Sequence, residues 1–174
     1  MKLILLRHAT RSTGASFADA DPPLNTIGRA QAEDFAGFPD QPQKKLPRPT
    51  QLITSPKLRA VETLAPLARA LNLKAAVLTE LDERQNDESS EAFQTRVKRA
   101  FELIKNRSAA TDTIYVCSHL DFIEAAVAYW PTDLSTQQMG AAWSPLDYQV
   151  FEHDQKGLLK SLQRGRVERR DEKT

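Results

Sequence analysis

Two of the three histidines in this 174-residue chain directly follow short apolar runs. His8 comes after the run Lys2–Leu6 with only Arg7 between them, and His119 comes after the run Thr113–Ser118. Runs of this length and composition are typical of buried strands. Ligands of open α/β sheets bind outside the carboxyl ends of parallel strands. The two histidines are therefore predicted to meet at one edge of a sheet, beside the guanidinium group of Arg7.

Two further segments are predicted to bring polar side chains to the same edge. A short strand, Gln51–Thr54, is followed by Ser55 and, one helical turn later, by Arg59. Serine is a favoured N-cap and a proline follows it, so Ser55 is predicted to cap the helix that carries the arginine. A third strand, Ala75–Leu78, precedes Glu83 in a charged loop.

This set of side chains suits phosphoryl transfer. Two guanidinium groups match the oxygens of a phosphoryl group, and a helix N-terminus adds free N–H groups. A neutral imidazole can attack phosphorus, and a second imidazole, if protonated, can stabilise charge on the phosphoryl oxygens. The carboxyl group of Glu83 can protonate a leaving oxygen and then deprotonate water. The arginines and histidines supply the positive charge, so we expect no metal and no cofactor.

The elements that must position these residues alternate between strand and helix along the chain. The remaining predicted elements are a helix starting at Asn25–Thr26 with an apolar stripe of Ile27, Ala30, Phe35 and Ala36, helices Ser90–Asn106 and Phe122–Tyr129, and strands Pro145–Glu152 and Leu158–Leu162. Strands that alternate with helices form parallel sheets with right-handed crossovers. The sequence therefore predicts a three-layer α/β/α sandwich with a mostly parallel sheet and an antiparallel C-terminal hairpin. We expect one domain over residues 1–162 and a charged, flexible tail over 163–174.

Composition and charge exclude several classes of protein. The net charge is +1, with 40% hydrophobic and 27% charged residues, which does not indicate a nucleic-acid partner. The single cysteine, Cys117, permits no internal disulfide. No apolar run approaches membrane-spanning length, and the N-terminus lacks a signal-peptide pattern. A cytoplasmic protein without a membrane partner is expected.

Five stretches resemble, in order and approximate spacing, the motifs of the histidine phosphatase superfamily, the phosphoglycerate mutase-like proteins. These stretches are Leu5–His8, Pro23–Ala32, Ser55–Thr63, Leu81–Arg84 and Cys117–His119. One short motif alone is weak evidence, whereas five in order are specific. The resemblance covers the chain up to its charged C-terminal tail.

The resemblance implies a role for each candidate residue. It makes His8 the phosphorylated nucleophile, places Arg7, Arg59 and His119 in the phosphate pocket, and makes Glu83 the acid and base. The chain is short, and the insertions that recognise substrate in mutases are absent from the pattern. It is therefore similar to the small phosphatases, which act without a metal on a phosphomonoester or a phosphohistidine. The expected partner is a phosphorylated small molecule or a phosphoprotein.

Three positions depart from the family pattern. Ala9 and Leu120 stand where glycine is usual, and Gly14 stands where many members carry asparagine. A side chain at the first two positions is expected to narrow the pocket if glycine's backbone freedom is needed there. The contact that asparagine would make is expected to be missing or to come from Thr10 or Ser12.

Alternatives remain open at this point. The proton donor could be Asp82 or Asp87 instead of Glu83, because all three lie in one charged run. The departures also permit a module that binds a phosphorylated ligand without turnover. A phosphomutase is a third, lower-ranked possibility, because a short chain with few covering insertions excludes water poorly.

Overall fold

The computed structural model describes residues 1–13, 21–40, 46–135, 138, 142–154 and 156–167. Gly14 and residues 168–174 of the predicted tail lie outside the described residues. The strands are β1 (Lys2–Arg7), β2 (Gln51–Thr54), β3 (Ala75–Val77), β4 (Thr113–Ser118), β5 (Asp147–His153) and β6 (Leu159–Arg166). The α-helices are α1 (Thr26–Ala36), α2 (Leu58–Leu71), α3 (Ser90–Asn106) and α4 (Leu120–Tyr129).

The six strands form one mixed sheet in the order β3-β2-β4-β1-β5-β6. The first four strands in this order are parallel, and β5 and β6 add an antiparallel hairpin. The predicted fold class is therefore confirmed. Strand β1 lies between β4 and β5, with Leu6 opposite Cys117 on one side and Tyr148 on the other.

Apolar side chains of β1 alternate between two cores, one on each face of the sheet. Leu3 and Leu5 pack with residues of α3 and α4, whereas Ile4 and Leu6 pack with residues of α1 and α2. This alternation is the expected result of the two-residue period of a strand covered on both faces. The alternation fixes the register of β1 in the sheet. The register in turn places His8, which follows β1, at the edge where the parallel strands end.

Helix α1 buries only part of the face predicted for it, since Phe35 is buried and Ala36 packs against the core. Ile27 is 44% exposed and Ala30 is exposed, while the buried residues are Gly28, Ala32 and Phe35. The reason is a close approach at Gly28, where an added Cβ would lie 1.9 Å from the carbonyl oxygen of Thr10. Only glycine lets the helix pack this closely on the loop that follows β1.

Helix α2 begins later than predicted. Its N-cap is Lys57, so Ser55 does not cap the helix. The hydroxyl oxygen of Ser55 accepts the N–H of Lys57 at 3.3 Å instead. Pro66 lies inside the helix, which continues to Leu71 and ends at Asn72 in a left-handed conformation, with φ of 52°.

The C-terminal hairpin differs from the prediction at both ends. Strand β5 begins at Asp147 and β6 ends at Arg166, beyond the predicted end at Leu162. The first residues of the predicted tail therefore belong to the sheet, because β6 pairs with β5 up to Arg166, with one register shift between Val150 and Phe151. Within the described part of the chain, no helix is both long and apolar enough to cross a bilayer.

Candidate active site

A cavity of about 280 Å³ opens where the parallel strands end. It is lined by Arg7, His8, Arg11, Arg59, Glu83, His119, Leu120, Asp121 and Glu124. The structure thus brings five predicted residues together: the two histidines, Arg7, Arg59 and Glu83. Thr10 and Ser12 are not among the lining residues, and Arg11, which the sequence analysis did not select, is.

His8 is buried and its ring orientation is fixed. Nδ1 lies 2.7 Å from the carbonyl oxygen of Ala9, which can only accept a hydrogen bond, so the ring proton is on Nδ1. Burial lowers the pKa of His8 to about 4, with the positive charges of Arg59 and Arg7 acting in the same direction. The ring is therefore neutral near pH 7, and Nε2 carries a free lone pair.

His119 lies beside His8, with the ring centroids 5.2 Å apart. Its Nε2 is 2.7 Å from the hydroxyl oxygen of Ser55, which is fully buried. The described residues offer no other acceptor for the proton of this hydroxyl, so we assign that proton to the hydrogen bond with Nε2 of His119. The ring proton then lies on Nδ1, which has no partner among the described residues.

The sequence permits a protonated second imidazole, but in the structure the ring of His119 is neutral near pH 7. Burial lowers its pKa to about 2, and the charge of Arg59 lowers it further. His119 is therefore a neutral N–H donor in the ligand-free site. Ser55, predicted as a helix cap, instead sets the tautomer of this ring.

Arg59 is the most buried charged group of the site, with 2% of its surface exposed. Its Nη2 donates to Oε2 of Glu83 at 2.6 Å, and its Nη1 donates to Oδ1 of Asp21 at 3.2 Å. Asp21 also accepts the N–H of Leu58 at 2.7 Å, at the start of α2. Nothing in the local sequence indicated this role of Asp21. Nε of Arg59 has no partner among the described residues.

Arg7 is held at the end of β1 by a distant carbonyl group. Its Nη1 donates to the carbonyl oxygen of Trp143 at 2.5 Å, and its Nε has no partner within the described ranges. Burial lowers the pKa of Arg7, while the charges of Asp147, Glu124 and Asp121 oppose that shift. A half-buried guanidinium with an unused, buried Nε–H is suited to bind an anion.

The loop after His8 is fixed from two sides. The N–H of Ala9 donates to Oγ1 of Thr63 at 3.0 Å, and that hydroxyl donates to the carbonyl oxygen of Arg59 at 2.7 Å. The N–H and the hydroxyl of Thr10 both donate to Oε1 of Gln31, at 3.0 and 2.9 Å. The hydroxyl of Thr10 is thus engaged away from the cavity, so the structure does not place it as a phosphate contact.

Glu83 lies in a loop that a single arginine orders. Arg96 on α3 donates to the carbonyl oxygens of Glu80, Asp82 and Glu83 at 2.9, 2.7 and 3.2 Å. It also pairs with the carboxylate of Glu88 at 2.6 Å. The role of Arg96 could not be predicted from the sequence, because a single arginine on an amphipathic helix looks the same whether it is exposed to solvent or binds a neighbouring loop.

Of the three candidate proton donors, only Glu83 lines the cavity. Asp82 accepts the N–H of Glu83 at 2.8 Å and lies 3.8 Å from Nε2 of His119, and burial raises its pKa. Asp87 is exposed. Asp82 therefore lies behind the proposed donor, close to the second histidine.

The two positions where glycine is usual carry no backbone strain. Among the described residues other than glycine, only Asn72 and Leu146 have positive φ. Ala9 and Leu120 therefore adopt conformations open to any residue, and the expected need for glycine's freedom does not arise. Leu120 does line the cavity, so its side chain occupies space there.

A larger depression of about 590 Å³ lies along α3, but both of its arginines are already paired. Arg96 is bound as described above, and Arg99 pairs with Glu80 at 3.3 Å. The cavity at the strand ends differs from it, since it combines buried imidazoles with unused guanidinium N–H groups. We therefore take the smaller cavity as the candidate active site.

Fold and cavity together define an α/β protein with a histidine- and arginine-lined anion site at the ends of its parallel strands. Comparison with known proteins gives the family. The sequence model of the histidine phosphatase superfamily (branch 1) matches residues 3–88. The chain belongs to the histidine phosphatase superfamily, and this membership supports phosphatase activity. A search of curated proteins found no match to the chain.

Solved structures with the same fold include several phosphatases. The protein histidine phosphatase SixA, complexed with tungstate, is 22% identical with a TM-score of 0.72, over 96% of this chain and 97% of that one. A mycobacterial glucosyl-3-phosphoglycerate phosphatase complexed with VO3 is 16% identical with a TM-score of 0.71, over 92% and 96%. A phosphoserine phosphatase from Entamoeba histolytica is 16% identical with a TM-score of 0.70, over 97% and 98%. At these identities the likeness shows the shared fold.

Proposed function

We propose that this protein is a phosphatase that acts without a metal, through a covalent phosphohistidine on His8. The observation that carries the proposal is the unprotonated Nε2 of His8 in a cavity that also holds the buried Arg59 and the half-buried Arg7. A neutral imidazole is a competent nucleophile near pH 7, and fixed guanidinium groups stabilise charge on phosphoryl oxygens. In this proposal Arg7 and Arg59 supply the positive charge that phosphoryl transfer requires.

The first step transfers the phosphoryl group to the enzyme. Nε2 of His8 forms a bond to phosphorus while the bond between phosphorus and the leaving oxygen breaks. Glu83, which takes up a proton from solvent once it is displaced from Arg59, gives this proton to that oxygen. A phosphoryl oxygen that binds Arg59 replaces the carboxylate of Glu83, which lies 2.6 Å from this guanidinium in the ligand-free site. Substrate binding thus releases Glu83 to act on the leaving group.

The second step returns the enzyme to its starting state. Glu83, now ionised, takes a proton from water as the water oxygen bonds to phosphorus and the bond to Nε2 of His8 breaks. His119 donates its Nδ1–H to a phosphoryl oxygen in both steps. Inorganic phosphate then leaves the cavity, and Glu83 returns its proton to solvent as it pairs with Arg59 again. Water is the only reactant consumed besides the substrate.

The substrate belongs to one of two classes in this proposal. It is a phosphorylated small molecule, hydrolysed as a phosphomonoester, or a phosphoprotein that carries phosphohistidine. Structural neighbours of both kinds exist, since one is a protein histidine phosphatase and another a glucosyl-3-phosphoglycerate phosphatase. A panel of phosphorylated metabolites and phosphoproteins separates the two classes.

The first test is turnover of p-nitrophenyl phosphate in the presence of EDTA. Wild-type protein is expected to hydrolyse it, and His8→Asn is expected to lose at least about a thousandfold in kcat/KM, the scale found for nucleophile removal. His153→Asn is the matched control, because His153 ends β5 and is not among the residues that line the cavity. Full activity of His8→Asn would overturn the proposal.

The second test detects the intermediate and the proton donor. Quenched reactions are expected to contain protein-bound phosphate that is labile to acid and stable to alkali. Glu83→Gln is expected to slow turnover most for substrates with poor leaving groups, because these need protonation most. Vanadate binding with no turnover of any phosphomonoester would instead support a module that only binds phosphorylated ligands. Transfer of phosphate between two positions of a sugar would support a phosphomutase.

A further inference from the structure

One wall of the candidate active site carries carboxylates that the proposed mechanism does not use. Leu120, Asp121 and Glu124 all line the cavity and all belong to the first turns of α4. Three arginines, Arg7, Arg11 and Arg59, line the same cavity. We call Asp121 and Glu124 the acidic wall. The cavity therefore presents positive charge to one part of a ligand and negative charge to another.

Asp121 has a structural explanation. Its two carboxylate oxygens accept the N–H groups of Arg84 and Phe122, at 2.6 and 2.8 Å. An acidic residue in the first turn also stabilises the dipole of α4. These contacts fix a negative charge at the cavity, although stability alone would account for the residue.

Glu124 has no comparable explanation. It is exposed, and it forms no hydrogen bond or ion pair within the described residues. Its charge acts on Arg7 without a direct contact. Glu124 lies one helical turn after Leu120, so both face the cavity. An exposed glutamate that faces an anion site weakens anion binding there unless it meets another part of the ligand.

The floor of the cavity shows where the phosphoryl group fits. His119 and Arg59 are each 2% exposed, and Nδ1 of the first and Nε of the second have no partner among the described residues. These buried N–H groups can donate hydrogen bonds to a phosphoryl group, whereas the carboxylates of α4 repel it. A phosphoryl group bound to the donors leaves the acidic wall to face the leaving group.

We propose that Glu124, supported by Asp121, selects substrates whose leaving group carries a positive charge and disfavours those whose leaving group carries a carboxylate. The inference rests on the proposed phosphatase function and adds a charge preference to it. A bound phosphoryl dianion balances the charges of Arg7 and Arg59, so a second anion on the leaving group meets the two carboxylates of the acidic wall with only the exposed Arg11 of the lining residues left to offset them. An ammonium group at the same place is attracted.

The test uses two substrates of similar size and opposite charge, phosphoethanolamine and 2-phosphoglycolate. The measured quantity is the ratio of their kcat/KM values, which cancels general loss of activity in a variant. Glu124→Gln is expected to lower the ratio of phosphoethanolamine to phosphoglycolate by about three- to fivefold, the effect of one partly exposed charge. Glu124→Lys reverses the charge and is expected to lower the ratio by about tenfold or more.

The control is Glu152→Gln, which removes an exposed carboxylate near the amino end of β1, opposite Lys2 in the sheet. Its ratio is expected to stay within about twofold of wild type, because distant exposed charges are screened. An unchanged ratio in Glu124→Lys would overturn the inference. Failure to hydrolyse p-nitrophenyl phosphate would instead contradict the proposed function. The charge preference would then be measured as the ratio of dissociation constants of the two ligands by calorimetry, with the same expected changes.

Discussion

Replacing Gly28 with alanine is expected to destabilise this protein, although alanine favours helix formation. Within α1 the substitution alone would stabilise by roughly 1 kcal/mol. The added Cβ, however, would lie 1.9 Å from the carbonyl oxygen and 2.9 Å from the carbonyl carbon of Thr10. Overpacking of this kind costs about 1–3 kcal/mol, and the bond from the N–H of Asn25 to that carbonyl, 3.1 Å long, contributes about 1 kcal/mol more. The clash outweighs the helix preference.

The expected net change is therefore a loss of about 1–3 kcal/mol in the free energy of unfolding, measured by urea denaturation. Thr26→Ala is the control, because Thr26 is exposed in the first turn of the same helix and its replacement should be neutral or slightly stabilising. Hydrolysis of p-nitrophenyl phosphate by Gly28→Ala should also fall, since Thr10 lies two residues after His8. If Gly28→Ala were as stable as wild type, the loop that contains Thr10 would have to move away from the helix at no cost in free energy. That result would refute the reasoning.

Three further perturbations test the site. Burial lowers the pKa of His8 from 6.5 to about 4. Between pH 6.5 and pH 4, His8 therefore binds a proton in the unfolded chain but stays neutral in the folded protein. His8 alone is then expected to lower stability by up to about 3 kcal/mol as the pH drops from 6.5 to 4, in addition to the loss that His119 causes over the same range. In urea titrations at several pH values, His8→Asn should therefore lose less stability than wild type by about this amount. Ser55→Ala should remove the hydrogen bond that fixes the tautomer of His119, so both tautomers of the ring should be populated. The ring 15N chemical shifts should then be averages of two tautomers, whereas wild type shows one. Unchanged shifts would contradict this role of Ser55. Arg96→Met should loosen the loop of Glu83 and lower kcat by about tenfold, whereas an unchanged kcat would show that the loop orders itself.

Local patterns were sufficient for the elements that are fully buried or clearly capped. Strand β4 has no exposed residue and was predicted with its observed limits. Helix α3 was also predicted with its observed limits, since Ser89 caps it and its apolar residues follow a helical period. Because parallel strands end at one edge, His8 and His119 could be placed together from the sequence alone, and their ring centroids are 5.2 Å apart.

Contacts between distant segments could not be predicted from local patterns. Arg7 is held by the carbonyl group of Trp143, 136 residues away in the sequence, and Arg59 by Asp21, 38 residues away. The apolar stripe predicted for α1 was wrong at Ile27 and Ala30, because the close backbone approach at Gly28 turns the first part of the helix and leaves these two residues exposed. Each of these features depends on where another segment packs, which no periodicity within a short window encodes.

The central position of β1 has a consequence for biosynthesis. The strand is wholly apolar between Leu3 and Leu6, and its two neighbours are formed by residues 113–118 and 147–153. A nascent chain on the ribosome cannot give this strand a partner until more than a hundred further residues have been added. Until then the apolar segment that precedes the candidate nucleophile is unpaired, exposed to water and prone to aggregate. The growing chain is therefore expected to depend on chaperones that shield this segment.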